Sequence, residues 1–104
     1  MGNREEYIDK LAARLKKWDA EIQKLEEKAN KAKADVKAKY TKKADELRAK
    51  KETIQQKVKD FGEANEEVFS SVKINIEDSL TNLINAINDA FNKFSKEDSE
   101  EKKS

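Results

Sequence analysis

The amino-acid sequence predicts an all-α protein. One long helix followed by a shorter amphipathic helix should fold into an antiparallel helical hairpin or coiled coil that self-associates. Three observations carry this expectation. Ile8, Leu11, Leu15, Trp18, Ile22, Leu25, Ala29, Ala32 and Val36 form a ladder whose spacings alternate three and four residues without a slip, which is the seam of a coiled coil. The 104-residue chain has no proline and only two glycines, so helix-breaking punctuation is scarce. Charged residues make up 43% and hydrophobic residues 36%, a balance suited to an elongated helical protein rather than to a thick globular core.

The first element should run from about residue 5 to 60 as one helix, about 80 Å long at 1.5 Å per residue. After Val36 the apolar positions change to Tyr40, Ala44 and Leu47, an 11-residue pattern that relaxes the left-handed supercoil. Lys39, Lys43 and Lys50 or Lys51 fall near positions that would otherwise be apolar, and Ile54, Val58 and Phe61 then resume the seam. A turn is expected at about 61–65, where Gly62 can end the first helix in a left-handed conformation and Asn65 can cap the next. The second helix, about 66–94, carries the stripe Val72, Ile76, Leu80, Leu83, Ile87, Phe91 and Phe94, widened by Phe69, Ile84 and Ala90. So broad a stripe suits contact with two neighbours. Residues 1–94 therefore form a single domain, and 95–104, without an apolar residue, should be a disordered charged tail.

Net charge is only +1, but it is unevenly spread. Residues 28–51 carry a net +7, and residues 63–94 a net −4. Folding at Gly62 would lay the acidic segment along most of the basic one. In an in-register parallel homodimer, by contrast, Arg14 would meet Asp19 favourably, while Glu21 would meet Glu26 and Lys28 would meet Lys33. Two repulsions against one attraction disfavour that arrangement. In the hairpin, Ile8, Leu11, Leu15, Trp18, Ile22 and Leu25 would project uncovered, as an interaction seam for a second copy or another helical protein.

Candidate chemistry is sparse. With no histidine and no cysteine, the commonest acid–base groups, nucleophiles and transition-metal ligands are missing. The expectation is a non-enzyme with no catalytic, metal-binding or cofactor-binding residues. Trp18, Tyr7 and Tyr40 lie in or beside the seam and read as packing residues. The block Lys28 to Lys51 could contact phosphates nonspecifically, but near-zero net charge and the absence of any recognition motif disfavour nucleic acid. No apolar run reaches the roughly 20 residues of a membrane span, and the first residues lack a signal-peptide core, so a cytoplasmic setting is expected.

The segments Tyr7-Ile8-Asp9-Lys10 and Leu15-Lys16-Lys17-Trp18-Asp19-Ala20-Glu21-Ile22-Gln23-Lys24-Leu25, with Ala32 to Tyr40 and Glu46 to Lys51, resemble small bacterial coiled-coil stress-response proteins. The similarity covers roughly residues 7–95, and its most specific element is Trp18-Asp19-Ala20-Glu21-Ile22. It implies a soluble bacterial protein with no catalytic residues to transfer. The reading as a whole is a non-enzymatic structural or interaction protein, a stress-related scaffold acting by helix–helix association. The alternatives are an adaptor that docks through residues 69–94 and, more weakly, a nucleic-acid binder acting through 28–51.

Overall fold

The computed structural model describes the backbone of residues 2–103 and the side chains of residues 4–97. It contains three helices, α1 (Gly2–Asn30), α2 (Ala34–Glu63) and α3 (Glu66–Lys103), and no strand among the described residues. The all-α expectation holds. The single helix over 5–60 does not: the chain breaks at residues 31–33 and turns back.

Backbone hydrogen bonds close the end of α1 at the break. Lys31 N–H donates to Lys28 O at 3.2 Å and Ala32 N–H to Ala29 O at 3.0 Å, tightening the end of α1. Lys33 then swings to φ −65°, ψ 157° with no side-chain cap. Extended backbone at a residue of fair helix propensity sacrifices only some tenths of a kcal/mol locally. That small cost is offset because the turn lets the apolar face of α1 meet the rest of the chain. Burying one large aliphatic side chain contributes about 1.5–3 kcal/mol, and α1 buries several.

The second turn follows the expected chemistry in part. Asn65 Oδ1 accepts from Glu67 N–H at 3.2 Å and from Val68 N–H at 3.4 Å, so it caps α3 as the sequence predicts. Glu66 and Glu67 add negative charge to the first turn of α3, where it complements the helix dipole. Gly62, however, lies inside the last turn of α2 and has no positive φ. Ala64 ends the helix in extended backbone, its N–H directed to Phe61 O. A left-handed glycine is unnecessary because the chain leaves the helix through ordinary L-residue conformations.

Cross-links define how the helices lie. Arg48 reaches Glu26 and Lys51 reaches Asp19, in opposite order along α2 and α1. Lys57 reaches Ser79 and Lys39 reaches Glu97, in opposite order along α2 and α3. The long dimension of the molecule is 58 Å, which is about the length of the 38-residue α3 at 1.5 Å per residue. The tail also departs from expectation. Helix α3 continues through Lys103, and Lys39 Nζ sits 2.5 Å from Glu97 Oε1; only Ser104 of the expected disordered segment lies outside the described backbone.

The core runs the length of the molecule. Leu11, Leu15, Ile22, Leu25 and Ala29 come from α1; Val36, Tyr40, Ala44, Leu47, Ile54 and Phe61 from α2; Ile76, Leu80, Leu83, Ile87, Ala90 and Phe94 from α3. Phe61 anchors one end, in contact with the rings of Tyr7 (5.1 Å between centroids) and Phe69 (4.3 Å). Tyr40 and Phe94 make an edge-to-face pair near the other end, at 5.2 Å. The Tyr40 hydroxyl is buried without a completed hydrogen bond. Burial, and then the neighbouring Glu97 carboxylate, push its pKa up to about 12.

Candidate interaction surface

The six residues expected to form an open seam are placed inside. Leu11, Ile22 and Leu25 are fully buried and Leu15 is nearly so, while Ile8 and Trp18 are partly buried against the same core. The seam is satisfied by α2 and α3 of its own chain, so it does not project for a partner. The reason lies in the 31–33 turn: a straight 56-residue helix would have left this segment uncovered, whereas the returning α2 covers it.

The α3 stripe is likewise internal. Ile76, Leu80, Leu83, Ile87 and Phe94 are buried, and Phe69, Val72 and Phe91 are partly buried against them. Docking through these side chains would therefore require taking the bundle apart. The breadth of the stripe, read from sequence as contact with two neighbours, corresponds to contact with both α1 and α2.

Charged side chains tie the helices at their margins. Arg48 holds Glu26 through two contacts, at 2.7 and 3.1 Å. This fork lowers the pKa of Glu26 below the usual carboxylate value. Lys51 is threaded between α1 and α2 with its Nζ 2.6 Å from Asp19, and only 15% of its side chain is exposed; the stem covers apolar surface while the ammonium finds its carboxylate. Lys43 pairs with Glu46 at 3.8 Å. Four cations of the basic block, Lys39, Lys43, Arg48 and Lys51, thus face carboxylates of this same chain, which reduces what the block offers to a polyanion.

The densest polar cluster joins α1 to α3. Glu77 accepts a hydrogen bond from the Tyr7 hydroxyl and another from Arg14 Nη1 at 3.3 Å, and Lys73 Nζ lies 4.9 Å from the Tyr7 ring centre. Burial first, then the Glu77 carboxylate, raise the Tyr7 pKa well above its ordinary value. The Tyr7 hydroxyl, followed by Arg14, holds the Glu77 carboxyl below its usual range against the opposing effect of burial. A depressed folded-state pKa stabilises the fold above the ordinary carboxyl pKa, and that stabilisation is lost as pH falls through the lower folded value. Glu77→Gln should therefore flatten the acid limb of the stability–pH curve below about pH 4.5. Denaturant melts of both proteins across acid pH will show it, and parallel acid limbs would remove Glu77 as the linkage group.

Among the described residues the exposed large hydrophobic side chains both lie on α3. Ile74 is 62% exposed and Val68 45%. Around Ile74 the exposed uncharged residues are Ser70, Ser71, Asn75, Thr81, Asn82 and Asn85; Glu67, Lys73 and Asp78 are exposed as well, and the Glu77 side chain is 40% exposed. The sequence signal that could mark this surface is the series Asn75, Asn82, Asn85, Asn88 and Asn92 between the apolar positions of the second helix. Ile74 itself lies off the apolar stripe, so periodicity does not single it out. Among the described residues no group of three or more acidic, histidine or cysteine side chains is placed to hold a metal ion. No helix among them is long and apolar enough to cross a membrane.

Fold and surface together define an all-α helical bundle. Comparison with protein-family models, with curated proteins and with solved structures finds no match in any of the three.

Proposed function

We propose that the chain is a non-enzymatic interaction protein acting by helix–helix association, with the outward face of α3 as its contact surface and a second copy of the chain as its occupant. The observation that supports this most is the exposure of Ile74 on α3 beside Ser70, Ser71 and Thr81, in a chain whose other apolar residues are largely internal among the described residues. Interface centres are depleted in charged side chains, and 43% of this chain is charged.

A two-fold pairing of antiparallel α3 helices centred on Ile74 places like on like without electrostatic conflict. Asp78 then faces Ser70 of the second copy, and Glu67 faces Thr81, so no carboxylate opposes another. A bacterial, cytoplasmic, stress-related scaffold is the role attached to this reading, and it rests on the resemblance at residues 7–25.

The test is solution mass by light scattering over a concentration series. Wild-type protein should give a multiple of 12.0 kDa. Ile74→Glu, a change at an exposed site, should leave the circular-dichroism spectrum unaltered and weaken association at least about tenfold, or about 1.4 kcal/mol. A wild-type mass that stays at 12.0 kDa at every concentration, or a variant that associates equally well, would overturn the proposal.

A further inference from the structure

Between α2 and α3, about midway along the molecule, lies an open cleft of about 230 Å³ lined by Lys50, Thr53, Ile54, Ser79 and Asn82. No carboxylate lines it, although both helices carry acidic residues elsewhere. Its polar groups are set up as donors. Lys57 Nζ donates to Ser79 Oγ at 2.7 Å, so the Ser79 hydroxyl proton is left to donate elsewhere. Lys50 is exposed and has no carboxylate partner among the described residues, unlike Lys39, Lys43 and Lys51 of the same helix. Asn82 is also exposed and brings a side-chain amide to the rim. Thr53 is not a free donor, because its hydroxyl is turned to Ala49 O at 3.1 Å; it and Ile54 form the apolar wall.

Lys50, the Ser79 hydroxyl and the Asn82 amide line a carboxylate-free cleft, with the Lys57 ammonium bonded to Ser79 beside it, a donor set suited to a tetrahedral oxyanion. We infer that this cleft binds the phosphate group of a phosphorylated ligand, through Lys50, Lys57, Ser79 and Asn82. Lysine ammonium groups act here as point charges, and Ser79 and Asn82 supply direction. Asn82 borders the Ile74 face, whereas Lys50, Lys57 and Ser79 lie outside it, so the Lys50→Gln and Lys57→Gln variant tests the cleft independently of self-association.

The experiment is a ¹⁵N-resolved NMR titration with inorganic tripolyphosphate and, separately, with oligothymidylate at the same ionic strength. Saturable shifts at the backbone of Lys50 and Ser79 and at the Asn82 side-chain amide are expected. Saturation by tripolyphosphate assigns the cleft to small phosphate compounds. Saturation by the oligonucleotide alone, centred on the same residues, assigns it to a nucleic-acid backbone; either result supports phosphate recognition. Asn82→Asp, which puts a carboxylate on the rim at an exposed site, and Lys50→Gln with Lys57→Gln should each weaken binding at least tenfold. Lys42→Gln, on the outer side of α2, should change it less than twofold. No saturation at millimolar ligand, or losses in Lys42→Gln as large as in Asn82→Asp, would overturn the inference.

Discussion

Replacing Leu15 and Ile22 together by glutamate should unfold the whole protein rather than merely separate copies of it. Leu15 is 5% exposed and Ile22 fully buried; both belong to the common core, which among the described residues holds no buried charged side chain to pair with a carboxylate. Burying an unpaired carboxylate costs several kcal/mol even after relaxation, and two such changes also remove about 3–6 kcal/mol of apolar burial. Domains of this size have about 5–15 kcal/mol in total. The far-ultraviolet circular dichroism of the double variant should therefore fall to a coil-like spectrum at 25 °C, with α3 lost as well as α1. A variant that keeps its helicity and alters only solution mass would show that the α1 seam faces a partner and that its burial within one chain is wrong.

Phe61→Ala should be the most damaging single truncation, at about 3–5 kcal/mol. Phe61 is fully buried at the α2–α3 turn, where its ring meets Tyr7 from α1 and Phe69 from α3. Among the described residues it is the one side chain in aromatic contact with both neighbouring helices. Its removal leaves a cavity between the three helices that Tyr7 is not free to fill, because the Tyr7 hydroxyl is held by Glu77. Urea unfolding should show a lower midpoint with an unchanged slope, the signature of lost stability without a change in compactness. A loss below about 1.5 kcal/mol would mean that the three helices do not converge on this ring, since even modest Ile→Val core changes reach that size.

Much of the architecture could be read before any coordinates. The three- and four-residue spacing from Ile8 to Val36 identified nearly every buried residue of α1, because a 3.6-residue period puts those positions on one face whatever that face meets. The α3 stripe was readable for the same reason, as was Asn65, whose capping chemistry is local. The turn at 31–33 was not. Lysine and alanine are good helix formers, no glycine or proline stands there, and Lys33 is not one of the residue types that cap a helix with their side chain; the weak local clue is Asn30 at the end of α1. Without that turn the seam has no cover within the chain, so periodicity alone presents an internal core as an open interface.

The sequence by itself determined that the protein is helical, which faces are apolar, and where α3 begins, since periodicity and capping act over a few residues. Tertiary structure alone decided that the first 63 residues make two helices, that Ile8 to Leu25 is covered within the chain, and that Ile74 is left outside. Those outcomes turn on a comparison that no local window contains. Straightening three residues gains some tenths of a kcal/mol each, whereas folding them back buries side chains worth about 1.5–3 kcal/mol apiece, and the larger sum prevails.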